Sequence, residues 1–279
     1  MTDPLRESLH SMWASVAASW DEHAGHVDAR SAVVAQTMLD AVGLRPGERV
    51  LELACGPGGV GMAAAEVVGS AGAVVLSDVT SQMTAIAARR AKHRGLDNVT
   101  TRELDLERLE CPDASFDAVL CRDGLMFVLD PATAVQEAFR VLRPAGRAVF
   151  AVWGPRDRNP WLGALFGAVT AVLGIELPPP GVPGPFSLDA PGTLDALLKQ
   201  AGFADVASRE VSVPMRVDSL DEWWSVIPSL AGPLAQLLAS LPAETEAAIR
   251  TEGVAALTGF ATQDGYHLPG VSIVGIGHR

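Results

Sequence analysis

The sequence predicts an α/β protein built on a mostly parallel sheet, and three observations carry that expectation. From Arg49 onward, apolar runs of strand length alternate with longer amphipathic segments. The runs are far enough apart for crossover helices, as parallel strands require. A glycine-rich stretch, residues 50–59, sits where the first run passes into a helical segment. At 279 residues the chain can bury roughly three quarters of its unfolded surface, so the core needs neither a disulfide nor a metal staple.

The elements follow in order. Two helical segments, residues 5–20 and 28–42, precede a Pro46-Gly47 turn and read as a lid and a packing helix. Strands are expected over 49–54, 73–77, 99–103, 116–122 and 147–153, and helices over 59–69, 81–94 and 131–142. Ser81 reads as an N-cap, Pro131 occupies a first-turn position, and Pro144 closes its helix. After the fifth strand the regularity breaks. Asn159-Pro160 opens an apolar helix, and residues 178–185 then contain five prolines and two glycines, a loop that cannot enter a sheet. A helix over 193–201, a strand over 205–217 and a mostly helical stretch over 219–260, interrupted by Pro228, Pro233 and Pro242, lead to a final strand over 271–277.

Composition removes several function classes. The chain has 33 acidic and 21 basic residues, giving a net charge of -12, and 48% of its residues are hydrophobic. It is therefore globular, and nothing steers it toward a phosphate backbone, so no nucleic-acid partner is expected. Only Lys92 and Lys199 are lysines, and no Gly-Lys-Ser/Thr phosphate loop exists. Cys55, Cys111 and Cys121 have no Cys-x-x-Cys spacing, which predicts reduced thiols, no metal site and a cytoplasmic location. The N-terminus lacks the apolar run of a signal peptide. The uncharged stretch 159–175 is too short as a helix for a ~30 Å hydrocarbon core, so no integral membrane segment is expected.

The chemistry-bearing motif is Val-Leu-Glu-Leu-Ala-Cys-Gly-Pro-Gly-Gly, residues 50–59. Gly56, Gly58 and Gly61 satisfy G-x-G-x-x-G, a spacing that also fits a nicotinamide or flavin site. Backbone without Cβ lets a ligand approach the N–H groups at the helix start. Three acids sharpen the reading. Glu52, inside the first strand, can orient donors around a bound ammonium group. Asp78 ends the second strand twenty residues after Gly58, where a carboxylate can accept from both ribose hydroxyls. Asp105 follows the third strand and can accept from an adenine amino group, with Val79 and Leu106 over the ring faces. Tyr266 is followed by Gly270 rather than Lys at its fourth position, so the Tyr-x-x-x-Lys arrangement of short-chain dehydrogenases is absent.

The run 50–59, the Asp78 acid, Pro-Asp-Ala-Ser-Phe-Asp-Ala-Val at 112–119 and Arg-Val-Leu-Arg-Pro-Ala-Gly-Arg at 140–147 together resemble the class I S-adenosylmethionine-dependent methyltransferases. The branch they resemble most includes the ubiquinone and menaquinone biosynthesis methyltransferases. The resemblance is specific over about residues 45–153. It implies a Rossmann-like sheet of seven strands with the last antiparallel, and S-adenosylmethionine as cofactor. It also implies one domain with a helical lid (1–44), a cofactor-binding core (45–153), cap insertions (154–190 and 218–265) and the last strand at 271–278. Glu52, Gly56 and Gly58 would hold the methionine end, Asp78 the ribose and Asp105 the adenine, with Trp20 and Met83 also on the cofactor side. Residues 122–127 would line the methyl-transfer side. Two residues depart from the family: Ala145 stands where glycine is usual, and Asp123 where an apolar or aromatic residue is common.

Methyl transfer requires orientation, water exclusion and, for a hydroxyl or enol acceptor, a base. His23, His26, Asp123 and His267 are the candidates, each with a plain alternative as a solvated or turn-capping residue. His10, His93 and His278 are given no role. Arg30 can pair with the cofactor carboxylate, and Arg122 ends a core strand at the ligand-binding edge. Phe127, Trp153, Trp161, Phe166, Phe186, Trp223 and Trp224 point to an apolar pocket for a small-molecule substrate. The sequence thus predicts methylation of carbon or oxygen on an apolar or aromatic metabolite. A nicotinamide-dependent oxidoreductase and a non-catalytic S-adenosylmethionine-binding protein are the alternatives. Oligomeric state is not legible.

Overall fold

A computed structural model describes residues 4–279. The expected lid starts at residue 1, and residues 1–3 of it lie outside the described residues. Its centre is a sheet of seven strands: β1 (Arg49–Leu53), β2 (Ala73–Asp78), β3 (Val99–Glu103), β4 (Phe116–Arg122), β5 (Leu142–Trp153), β6 (Ala204–Ser212) and, after three short strands described below, β10 (Val271–His278). Their order is β3-β2-β1-β4-β5-β10-β6. Only β10 runs antiparallel, pairing with β5 on one side and β6 on the other. Valines, leucines and alanines from 118 to 121 in β4 and from 148 to 152 in β5 are buried, as strands covered on both faces must be.

Helices supply that cover. α1 (Pro4–Glu22) and α2 (Ala24–Val42) precede the sheet; α3 (Gly59–Val68), α4 (Ser81–His93) and α5 (Pro131–Val141) are crossovers; α6 (Pro160–Leu173) and α7 (Thr193–Gln200) follow β5. α2 packs beside α3 and against β4, β5 and β10, whereas α5 and α7 pack together against β5 and β10, so both faces are filled. Strand order reverses between β1 and β4. That switch point opens a crevice at the carboxyl ends of the strands, where ligands of open α/β sheets bind.

Several local expectations need correction. Residues 205–217 are not one strand. Pro214 has no N–H for a ladder, and the chain leaves the large sheet there to form β7 (Met215–Val217). β7 pairs with β9 (Gly265–Leu268), which pairs with β8 (Ala261–Thr262), making a small sheet whose β8 and β9 lie in what was read as loop. Between β7 and β8 lie α8 (Leu220–Leu230), α9 (Pro233–Ser240) and α10 (Ala243–Leu257). Thr80, not Ser81, caps α4, its hydroxyl accepting from the Met83 amide at 3.3 Å. α2 starts at Ala24 rather than Asp28, almost continuous with α1, and this brings His26 onto the helix. Pro144 lies inside β5, in a bulge where the pairing shifts from Phe116–Leu142 to Ala118–Arg147.

Asn159 explains how the cap is tied to the sheet. Its fully buried amide donates to the carbonyls of Gly154, Pro155 and Val271, and its oxygen accepts from the Val271 amide and the Trp161 indole, each at 3.0–3.1 Å. Every capacity of the side chain is used, so the Asn-Pro-Trp run serves structure.

Ala145, in the β5 bulge, has φ +65°, a left-handed conformation that costs a residue with a Cβ about 1–2 kcal/mol. Ala145→Gly should relieve that cost, partly offset by the greater freedom glycine has in the unfolded chain, for a net gain of about 0.5–1 kcal/mol. Urea unfolding of the two proteins measures this; a loss of stability would show that the methyl group contributes more than the strain costs.

Candidate active site

The site begins where β1 ends. Ala54, Gly56 and Gly58 all have positive φ, so the chain reverses sharply into α3. A Cβ on Gly58 would come within 2.9 Å of the Met62 methyl and 3.0 Å of Leu76, so this position tolerates only glycine. A Cβ on Gly56 would meet nothing closer than Trp20 at 4.0 Å, so that side of the turn faces open space.

Two buried acids hold the turn. Glu52 accepts the Gly61 amide at 2.9 Å, satisfying a free N–H in the first turn of α3. Burial pushes its carboxyl up to about 8, against the pull of Arg122 and of the Gly61 amide. Asp78 accepts the Gly56 amide at 2.9 Å and the Thr80 amide at 3.2 Å, and burial pushes it up to about 6.

From this turn a cavity of about 520 Å³ extends between the strand ends, α1 and α2, α6, the proline-rich loop and α8–α9. The volume lies within the ~300–1,000 Å³ range of small-molecule clefts, and the lining is mostly apolar. Gly56, Asp78, Val79, Met83, Asp105, Leu106 and Arg122 line one part of it, with Trp20 and Arg30 from the N-terminal helices. Asp123, Phe127, Trp153 and Trp161 also line it. Trp13 of α1 lines it too, edge-on to Phe127 with ring centroids 5.0 Å apart and to Trp20 at 6.3 Å.

Arg122 donates to the Ser31 hydroxyl of α2. Asp123 follows it in a left-handed conformation, φ +57°, and one carboxylate oxygen is buried without a partner. Burial raises its carboxyl to about 6, with Arg122 and Arg30 pulling it down. His26 Nε2 is likewise buried and unpartnered, and burial together with Arg30 lowers its imidazole, which favours the neutral form. The guanidinium of Arg30 lies 3.7 Å from the Trp161 ring centroid and 5.0 Å from that of Trp153. Burial lowers Arg30 to about 10. Among the described residues no group of three or more His, Cys, Asp or Glu side chains can hold a metal ion, and no helix is long and apolar enough to cross a membrane.

Residues 50–146 match the family described as a methyltransferase domain. The nocamycin O-methyltransferase of Saccharothrix syringae is 34% identical over 198 residues, covering 67% of this chain and 70% of the relative. The chain belongs to the class I S-adenosylmethionine-dependent methyltransferases. Within them it is similar to the ubiquinone/menaquinone biosynthesis C-methyltransferase UbiE of Serratia proteamaculans, 37% identical over 110 residues. That match spans 39% of this chain and 44% of the relative, so the likeness stops at the core of the fold. Among solved structures, the YcgJ protein of a Bacillus species superposes with a TM-score of 0.60 at 22% identity, over 88% of this chain and 97% of the other. The [4+2]-cyclase SpnF superposes at 0.54 and 22% identity, over 88% and 79%. Both show the fold.

The residues lining the cavity fit the family's cofactor: a turn open at Gly56, carboxylates at Asp78 and Asp105, and a Trp20 indole whose N–H has no partner. The methyltransferase core departs from the sequence reading in places. Glu52 and Gly58 lie beneath the turn, outside the cavity lining, and shape it rather than face a ligand. His23 precedes α2 and His267 is exposed on β9; neither lines the cavity, whereas His26 does. Trp223 is fully buried, its indole donating to the Trp161 carbonyl at 2.7 Å, and Phe186 packs on Phe166; both stand behind the wall. Sequence reasoning missed Arg6, which pairs with Asp105 at 2.7 Å and with Glu107, and His10, which stands 3.8 Å from Asp105. The acids at 105 and 107 were visible, but nothing in their spacing identified a partner about a hundred residues away.

Glu52 predicts a pH dependence. Its folded value near 8 lies above the unfolded 4.5, so the native chain keeps a proton that the unfolded chain has lost. The resulting stabilisation is complete below about pH 4.5 and is lost as pH rises through about 8. Between about pH 6.5 and 8 unfolding free energy should fall by ~1–2 kcal/mol, and Glu52→Gln, which can still accept from Gly61, should flatten the slope. Urea titrations of both proteins at the two pH values decide; equal slopes would exclude a protonated Glu52.

Proposed function

We propose that this chain transfers a methyl group from S-adenosylmethionine to an oxygen or carbon of a small, largely apolar or aromatic metabolite. The observation that carries the reading is the single cavity in which the glycine-rich turn and the ribose-type carboxylate meet an aromatic and aliphatic compartment. When bound, the cofactor supplies an electrophilic methyl on a sulfonium, which needs a well-placed nucleophile more than it needs acid catalysis.

The residues divide the work. Asp78 accepts from the ribose hydroxyls while continuing to hold the Gly56 amide, and Asp105 accepts from the adenine amino group with Val79, Met83 and Leu106 around the ring. Trp13, Trp20 and Phe127 close over the opening and exclude water, which protects the reactive group and orients the acceptor. For a hydroxyl or enol acceptor, two groups are available to take the proton. His26 and Asp123 both line the cavity; His26 is neutral with an unpartnered Nε2, and Asp123 has an unpartnered oxygen and is ionised above about pH 6. The three cysteines are poor nucleophiles, since burial raises all of their thiols and pushes Cys121 up to about 12.

Calorimetry with S-adenosylmethionine and with NAD should give binding of the first alone. Asp78→Ala should weaken it by at least about tenfold, as expected for loss of charge-assisted hydrogen bonds of ~1.5–3 kcal/mol each. Unchanged binding in the variant would remove that assignment, and NAD binding would favour hydride transfer. Mass spectrometry over a panel of quinols, phenols and fatty acids then tests transfer. Cofactor binding without any methylated product would favour a non-catalytic binding protein.

A further inference from the structure

Among the described residues, Arg30 has two buried side-chain nitrogens, Nε and Nη2, without a hydrogen-bond partner. These two nitrogens form one edge of the guanidinium, where two N–H bonds run parallel and match the two oxygens of a carboxylate. The flat face is already used, packed on Trp161 and Trp153. Asp123 does not fill the edge: it forms no ion pair with Arg30, and its own Oδ1 is unpartnered too. A buried cation with two idle donors at a cavity wall is costly unless a ligand supplies acceptors.

Arg30 lines the cavity on the side of β5 and the cap. Leu53 of β1 pairs with Cys121 of β4, so Arg122 is the cation next to the glycine-rich turn, and it is also the first charge that acts on Glu52. Arg30 instead packs on Trp153, at the end of β5, and on Trp161 of the cap. β5 lies two strands away from β1, roughly 10 Å at the usual spacing. Beyond it the wall is apolar, with Leu162 and Phe166 of α6, Leu177 and Val182 of the proline-rich loop, and Ile227 and Leu234 from α8 and α9. At this end His26 is held neutral and Arg30 is the cation, with Asp123 the acid that acts on it most.

We propose that the acceptor is a carboxylic acid with an extended apolar body, its carboxylate held by Nε and Nη2 of Arg30 and its body lying along the cap. The identification of this molecule as a methyl acceptor rests on the function proposed above; its binding does not.

The test uses the full chain with dodecanoate, methyl dodecanoate and dodecanol, read by tryptophan fluorescence with and without S-adenosylhomocysteine. Dodecanoate should bind at least about tenfold more tightly than the ester and the alcohol, as a charge-assisted pair predicts. Arg30→Gln should erase that preference while leaving dodecanol and S-adenosylhomocysteine affinities unchanged, and Arg30→Lys should restore only part of it. Equal affinity for the three ligands, or no binding of dodecanoate, overturns the proposal. So does a variant in which S-adenosylhomocysteine binding falls as much as dodecanoate binding, because Arg30 would then serve the cofactor. If Arg30→Gln does not fold, the acid-to-ester ratio of the wild type decides alone. Loss of the methyl-transfer reading would appear separately, as failure to bind S-adenosylmethionine while the acid preference persists.

Discussion

The hydrogen bonds that two buried acids, Glu52 and Asp78, accept from the backbone amides of one turn are what the rest of the site depends on. β1 must reverse within a few residues to start α3, and Ala54, Gly56 and Gly58 accept left-handed conformations to do so. Such backbone leaves amides pointing away from any ladder. Glu52 takes the amide of Gly61 and Asp78 takes that of Gly56. Because Asp78 ends the neighbouring strand and Glu52 lies within β1, the turn is held to the sheet itself, and its open side is kept facing the crevice at the switch point. The desolvation that raises both acids is the cost of this arrangement.

Everything above that turn is closed by the N-terminal helices and the cap. α1 is held across the cavity by ion pairs at its ends, Arg6 to Asp105 and Glu107, and Asp21 to Arg89, with Trp13 and Trp20 between. These pairs are partly exposed and contribute little each. The cap is held by burial: the Asn159 amide, the Trp161 and Trp223 indoles, and α10 packed along α6. α1 is held by burial as well, through Met12, Val16 and Ala17, the last packed with Met83 and Ile86 of α4.

The core was legible because its strands and crossovers are local patterns. The apolar runs at 49–53, 73–78, 99–103 and 116–122 appear as strands at nearly their expected bounds. The later third was less so. Pro214 divides one apparent strand, and β8 and β9 form a hairpin around Gln263-Asp264, where the Asp264-Gly265 pair was an available turn signal. The aromatic residues were rightly singled out as a group, but only packing separates Trp153 and Trp161, on the cavity wall, from Trp223, buried behind it. The histidines divide the same way, since the early start of α2 puts His26 at the cavity and leaves His23 between the helices.

By itself the sequence determined the α/β class, the family and the nature of the glycine-rich turn, because each depends on spacing along a few dozen residues. The tertiary structure alone decided which charges meet. Arg30 reads as a partner for the cofactor carboxylate until α2 is laid against Trp153 and Trp161, and Asp105 reads only as an acceptor for adenine until α1 brings Arg6 to it. The net charge of -12 names no partner for any single acid. Pairing across a hundred residues is fixed by how helices dock on a sheet, and docking depends on surfaces that form only when the chain has folded.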